Sequence, residues 1–372
     1  MTGDGKLGIP VVWHEDCLKH EPGGEVWLGV RDEGTEVPDR ARVILGTLQA
    51  AGAPVVAPGP HDPAALLAVH DAALVDHLGS VWADWEAAGY PADYGRDRVV
   101  PYVFPTPAML TPVMLGGQPL RVPTAVHGRA GLFCYDTMTL VGPGSWEAIR
   151  AAAECAQAAA ALVASGQSAA YALCRPPGHH AARAGYGGSC YLNNAAVAAQ
   201  ALRTAGVSLV AVIDIDAHHG NGTQSIFYDR ADVFYGSVHV DPGAGWFPHY
   251  LGFADERGAG PGLGANQNIP LAPGSGDEAW LDAVTQLCDQ VRDTGAEAVV
   301  LSLGVDAAAA DPESPLQVSA DGYRAACALV GRLGPVVVIQ EGGYDLASLG
   351  QYVLAALSGL QAATGSTRSR SV

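Results

Sequence analysis

The sequence predicts one α/β domain, a mostly parallel, multi-stranded sheet sandwiched by helices, with its site at the C-terminal ends of the strands. Three observations predict it. From about residue 145 onward, short apolar runs alternate with segments of helical length and period. The runs are apolar at consecutive positions, as strands buried on both faces require. Just past their C-terminal ends stand His, Asp and Tyr, where ligands bind in open α/β sheets. With 372 residues, 49% of them hydrophobic, the chain can bury a large core.

Taken in order, residues 38–52 and 62–89 have helical period, the second as one long helix. Residues 88–125 form a Pro-rich excursion with few charges, read as an active-site wall or an oligomer contact. A helix follows over 144–166, with Ser145 as N-cap and Gly166 as stop. Strands are expected over 169–174, 208–216, 232–239, 296–306 and 334–343. Helices are expected over 193–206, 277–295, 320–334 and 345–363. "ERGAGPGLGANQN" (256–268) reads as a tight surface loop, because it does not run from a strand into a helix as a dinucleotide site would. The domain is expected to span 1–363, with 364–372 a disordered tail.

Twenty basic residues against 38 acidic ones leave a net charge of −18. That balance argues against nucleic acid, which rewards clustered Lys and Arg, and is compatible with a cationic substrate. Apolar runs are short and broken, so no membrane span is expected. The first residues lack the basic and apolar regions of a signal peptide. Seven scattered cysteines without CxxC spacing read as reduced, packed thiols in a cytoplasmic protein.

The strand ends carry the chemistry. "RPPGHH" places His179 and His180 side by side after a rigid turn, and "DIDAHHGNGTQ" supplies Asp214, Asp216, His218 and His219. "SLGVD" ends in Asp306, and "QEGGYDL" contains Tyr344. Alternation along a strand puts Asp214, Asp216 and His218 on one side of the chain. Asp216, His218 and Asp306 suit Zn²⁺, with Fe²⁺ or Co²⁺ also compatible, and leave one position open. Beside such a metal, one imidazole can take a proton from water while the other protonates a leaving amine. Asp214 behind His179 and Asn221 behind His180 would push the two pKa values apart. Tyr344 can donate to the oxyanion of a tetrahedral intermediate, with Gly342 and Gly343 leaving room for substrate. His219 is read as a structural neighbour.

These motifs, with "GGSCYLNNAAVAAQ", resemble those of the arginase–deacetylase superfamily. More narrowly they resemble zinc-dependent histone deacetylases of class II type, closest in pattern to the bacterial acetylpolyamine amidohydrolases. The resemblance implies the roles given above, and adds potassium. One potassium site would use Asp214, Asp216, His218, the Ser237 side chain and the Val238 carbonyl. A second would use carbonyls near Phe227, Arg230 and Val233. It also implies a homodimer formed through the Pro-rich excursion. One departure stands out: between Gly188 and Cys190 the family commonly has an aromatic wall of the acyl tunnel, and this chain has Ser189. Phe247, or else Trp246, would supply the opposite wall, and Tyr186 is a candidate to fill the gap.

The leading expectation is a zinc amidohydrolase that deacetylates a small amine such as an acetylpolyamine. Rival readings are a protein acetyl-lysine deacetylase, a secondary-metabolite deacylase that exploits a wider mouth, and a non-enzymatic acetyl-amine sensor. Arginase chemistry would want two manganese ions and more metal-site His and Asp.

Overall fold

The computed structural model describes residues 6–368, apart from 60, 61, 94, 111–114, 117 and 119. Its strands are β1 (Val11–Val12), the hairpin β2 (Glu25–Trp27) and β3 (Val30–Asp32), β4 (Val55–Val56), β5 (Ala169–Ala172), β6 (Val210–Asp214), β7 (Val233–Val240), β8 (Asn266–Leu271), β9 (Ala298–Leu303) and β10 (Val336–Gln340). Eight of them form one sheet in the order β4-β1-β5-β10-β9-β6-β7-β8. Every neighbouring pair in it is parallel. The five strands expected from apolar runs are β5, β6, β7, β9 and β10, and all their residues are buried.

The helices are α1 (Asp39–Ala50), α2 (Pro63–Val69), α3 (Ala72–Ala87), α4 (Val126–Phe133), α5 (Ser145–Ala164), α6 (Asn194–Thr204), α7 (Asn221–Phe227), α8 (Asp277–Thr294), α9 (Ala320–Val330) and α10 (Leu349–Arg368). Helices α1, α10, α9 and α8 pack in succession, as do α2, α6 and α5, and both groups touch the sheet. A smaller apolar cluster joins α3 and α4 to Tyr186, Tyr191 and Leu192. All seven cysteines are buried and free. No single helix among the described residues is long and apolar enough to cross a membrane; α2 and α3 meet that test only jointly, across a 109° bend.

Several local expectations give way to tertiary contacts. The helix expected over 62–89 breaks at His70 and Asp71, both extended. His70 is buried, with its ring on the Ala182 carbonyl and the Asn193 N–H, and the Asp71 N–H donates to Arg183 O. Ser145 is the first residue of α5 rather than its cap; Gly144, at φ 76°, precedes it. The Ser145 hydroxyl turns back to accept from the Gly142 N–H and to pair with His20. The stretch 256–268 is not all loop, since its last residues open β8. At the C-terminal end α10 runs to Arg368, with the Thr364 hydroxyl donating to Leu360 O, and 369–372 lie outside the described residues.

Candidate active site

Strands β5, β10, β9, β6 and β7 lie side by side, so the loops leaving their C-terminal ends converge. Asp216, His218 and Asp306 each offer a donor atom, all within 4.8 Å of one another. His218 Nδ1 lies 3.0 Å from Asp306 Oδ2 and 3.4 Å from Asp216 Oδ1. Burial opposes the charge on both carboxylates. His179 and His218 nevertheless hold Asp216 well below the usual range, while burial and the Asp216 charge push Asp306 up to about 7. Gly342 is required here: its N–H donates to Asp216 Oδ2 at 2.8 Å, and a Cβ would sit 2.6 Å from both Asp216 Oδ2 and Asp306 Oδ2. Two buried carboxylates and an imidazole nitrogen with this spacing are the donor set of a divalent-cation site, so the residues fit a metal. A second group, His179, Cys190 and Glu341, is equally close-set. Its thiol is kept protonated by burial, and its carboxylate is occupied by the Gly178 and His179 N–H groups and the Ser302 hydroxyl. That group is a brace behind the histidines.

The tandem histidines are stacked obliquely, ring centroids 4.0 Å apart. His179 Nδ1 is 3.1 Å from Asp214 Oδ2, and its Nε2 is 3.7 Å from Asp216 Oδ1. His180 Nδ1 is 2.7 Å from Asn221 Oδ1, at the start of α7. Both orienting partners are those expected, and their difference matters. Burial would discharge His179, but Asp216 and Asp214 overcome it and raise its pKa to about 10. Burial and the neighbouring His179 drive His180 well below its ordinary value. His180 is therefore neutral, with Nδ1–H given to Asn221 and Nε2 free to accept a proton.

Tyr344 lines the cleft, and burial keeps its hydroxyl protonated even though Arg40 opposes this. The cleft holds about 510 Å³ and includes His180, Gly188, Ser189, His218, Trp246 and Phe247 in its walls. Phe247 meets His180 edge-on at 4.7 Å. Gly188, at φ 59°, lets the backbone pass His180, whose Cδ2 would be 2.5 Å from a Cβ. Ser189 also takes a positive φ, 59°, and its N–H donates to Thr139 Oγ1. Tyr186 does not fill the gap beside it: that ring is buried in the α3–α4 cluster against His77 and Tyr191, and Met138 borders the cleft instead. Gly342 and Gly343 do not line the cleft. The space beside Gly342 belongs to the two carboxylates, that beside Gly343 to Val305, and the Gly343 carbonyl accepts from Arg40. No described residue of the Pro-rich excursion reaches the cleft either. His219 is buried, its Nε2 paired with Gln224.

Asp214 and Ser237 are register partners on β6 and β7, and Ser237 Oγ pairs with His239 Nδ1. Phe227, Arg230 and Val233 bracket the turn from α7 into β7, where Phe227 O accepts from the Arg230 N–H.

Sequence reasoning missed a supporting layer. Tyr135 donates its hydroxyl to His180 O at 2.8 Å, and Glu341 holds the Gly178–His179 backbone. Arg40 of α1 donates to the carbonyls of Gly343 and Glu341, and its guanidinium lies 4.6 Å from the Tyr344 ring centre. Glu25 and Trp27 of β2 form part of the cleft wall. Glu341 could have been suspected as an acid at the end of an apolar strand. Arg40 looks like any helical surface arginine.

This fold and donor set define a metal-dependent amidohydrolase of the deacetylase type. Residues 34–360 match the histone deacetylase domain, and the chain belongs to that family. It is similar to the acetylpolyamine amidohydrolase of Mycoplana ramosa, 39% identical over 352 residues, covering 94% of this chain and 99% of the relative. It is also similar to the enzyme of that name from Burkholderia pseudomallei, 42% identical over 341 residues, covering 91% of this chain and 94% of the relative. A crystal structure of acetylpolyamine aminohydrolase from Burkholderia pseudomallei superposes with a TM-score of 0.88 at 39% identity, covering 96% of this chain and 99% of that one.

Proposed function

We propose that this chain hydrolyses the acetyl amide of a small cationic amine, an acetylpolyamine, releasing acetate and the free amine. The observation that carries the substrate class is the charge on the cleft-side face of the β2–β3 hairpin. Side chains at i and i+2 share a face of a strand, and Glu25 and Trp27 both line the cleft. Asp32 is Glu25's register partner and shares that face, a like-charged pair that weakens the hairpin itself. The hairpin's one cation, Arg31, lies on the other face, paired with Asp97 and the Gly23 carbonyl. Among the described residues nothing pairs with the Glu25 carboxylate. Burial, together with Glu313, Asp32 and Asp136, raises its pKa to about 7. A wall this acidic, with exposed indole at Trp27, suits a substrate whose free end is an ammonium group. The names of the similar proteins support the same class.

Asp216, His218 and Asp306 are the residues that would hold the metal, and zinc is the ion this donor set favours. When bound, zinc supplies Lewis acidity to the amide carbonyl and lowers the pKa of water. His180 takes the proton of the attacking water on Nε2. His179, held positive between Asp214 and Asp216, keeps charge beside the leaving nitrogen, and the pair returns a proton to it. The Tyr344 hydroxyl donates to the oxyanion as the carbonyl carbon becomes tetrahedral. Asp214 and Ser237, adjacent on β6 and β7, support a potassium site at that point, and activity in potassium against lithium salts tests it. The exposed Tyr102, Met109 and Val122 of the Pro-rich excursion support a homodimer, which light scattering would detect.

Acetate release decides the reading. N-Acetylputrescine and N-acetylcadaverine should outperform acetyl-lysine peptides in kcat/KM, and Tyr344→Phe should lose roughly a hundredfold in kcat. Preference for the peptides would favour a protein deacetylase. Wild-type turnover by the variant would remove Tyr344 from the mechanism.

A further inference from the structure

We propose that Glu36 is a positioning residue that ties the Tyr344 turn to the tandem-histidine loop, holding oxyanion donor and proton carriers at a fixed separation. The inference rests on the roles given above to Tyr344 and the histidines.

Glu36 lies just ahead of α1 and is only 4% exposed. Its Oε1 is 3.0 Å from Arg40 Nη1 and 2.9 Å from Arg175 Nε, and its Oε2 is 3.0 Å from Arg175 Nη2. Each arginine leads to a different half of the site. Arg40 donates from Nε to Gly343 O and from Nη2 to Glu341 O, both at 2.6 Å, and covers the Tyr344 ring. Those carbonyls bracket the turn that aims the Tyr344 hydroxyl. Arg175 follows β5 and is separated from His179 only by Pro176, Pro177 and Gly178, a short, stiff connection. Its Nη1 is anchored on Cys17 O at 2.9 Å.

The charges make Glu36 the pivot. Both guanidiniums are buried, and among the described residues Glu36 is the one carboxylate within ion-pair distance of either. His20 Nε2 also approaches it, at 3.7 Å, but burial lowers the His20 pKa to about 3, so that ring is neutral. One anion therefore faces two cations. Without it, two like charges would share a buried space, and the arginines would part. Their movement would carry the Tyr344 turn and the histidine loop in opposite directions. Small misplacements of reacting groups cost rate more than substrate binding.

The experiment is a double-mutant cycle on the metal-loaded enzyme with an acetylated diamine, using E36Q, Y344F and E36Q/Y344F, with E36D as the variant that retains the charge. E36Q should lose roughly tenfold to a hundredfold in kcat, the scale of a misaligned reacting group, with KM changed less than about threefold. The same substitution should cost at least about fivefold less when Tyr344 is already Phe. Metal content should stay at the wild-type level, and E36D should recover part of kcat. If E36Q does not fold, the cycle is run with E36D, whose shorter side chain loses one of the two arginines. Equal kcat losses in both backgrounds, or a loss matched by loss of metal, would show a merely structural role and overturn the inference. Wild-type turnover by Y344F would overturn the reading of Tyr344, and this inference with it.

Discussion

At position 189 a small polar side chain lines the cleft. The Ser189 N–H is held by Thr139 Oγ1 and the backbone by a positive φ, so the residue's direction is decided by its loop. Phe247 shares the cleft wall, braced edge-on against His180. An aromatic ring at 189 would bury on the order of 150–250 Å² and grip a slender methylene chain. It would also overfill the space available to a branched substrate. Ser189→Tyr is expected to raise kcat/KM for acetylated diamines and lower it for bulky acylamines, by roughly five- to thirtyfold each way. Parallel changes for the two substrate types would show that Ser189 does not control width. The pKa of Glu25, about 7, adds a pH signature. Below that value the carboxyl is neutral and attraction to an ammonium group is lost, so KM for the diamine should rise on acidification. Glu25→Gln should have the higher KM throughout and lack that step; an unchanged step would assign it to another group.

Elements bring these residues together, and two junctions expose the forces at work. Where β10 ends, the chain must pass against the Asp216 and Asp306 carboxylates, and a methyl group on Gly342 would meet both at 2.6 Å. Gly342→Ala should therefore push Asp216 and Asp306 apart and lower metal content in elemental analysis, with the far side of the fold intact. Full occupancy would mean the turn can yield. Between α3 and α4, His77 stacks on Phe133 at 4.4 Å, with neither ring nitrogen partnered among the described residues. Burial lowers its pKa to about 3. The unfolded chain takes up a proton near pH 6.5 that the folded one refuses, so His77 costs stability as pH falls from about 6.5 toward 3. His77→Phe should raise Tm at pH 5 by more than it does at pH 8. An equal gain at both values would mean that His77 is protonated in the fold.

For the whole molecule, the site is where the fold stores repulsion. Two buried carboxylates converge at Asp216 and Asp306, and a cation held there would bind the folded chain but find no such cluster in the unfolded one. Chelation should lower Tm as well as abolish turnover, and Zn²⁺ or Co²⁺ should restore both. A Tm indifferent to chelator would show that the three residues hold no ion. The parallel sheet makes such convergence affordable: its strands are buried throughout, and β5, β10, β9, β6 and β7 present their C-terminal ends on one rim.

By itself the sequence determined the sheet's inner strands and the reactive residues, because both leave local marks. Runs such as "VVVIQ" and "AVVLSL" are short, rich in β-branched residues and apolar without alternation, as strands covered on both sides require. The sequence also paired Asp214 with His179 and Asn221 with His180, since adjacent imidazoles need separate partners. Tertiary structure decided what depends on distant contacts. The two-residue strands β1 and β4 are too short to show a period and exist through their neighbours. The break at His70 is made by residues more than a hundred positions away. Glu36, Arg40 and Glu25 look like ordinary surface charges in the sequence. The first two become internal because α1 packs beside the Tyr344 turn, and the third faces the cleft because β2 and β3 pair in one register. Burial and register are properties of the assembled chain, and these charges acquire their meaning only there.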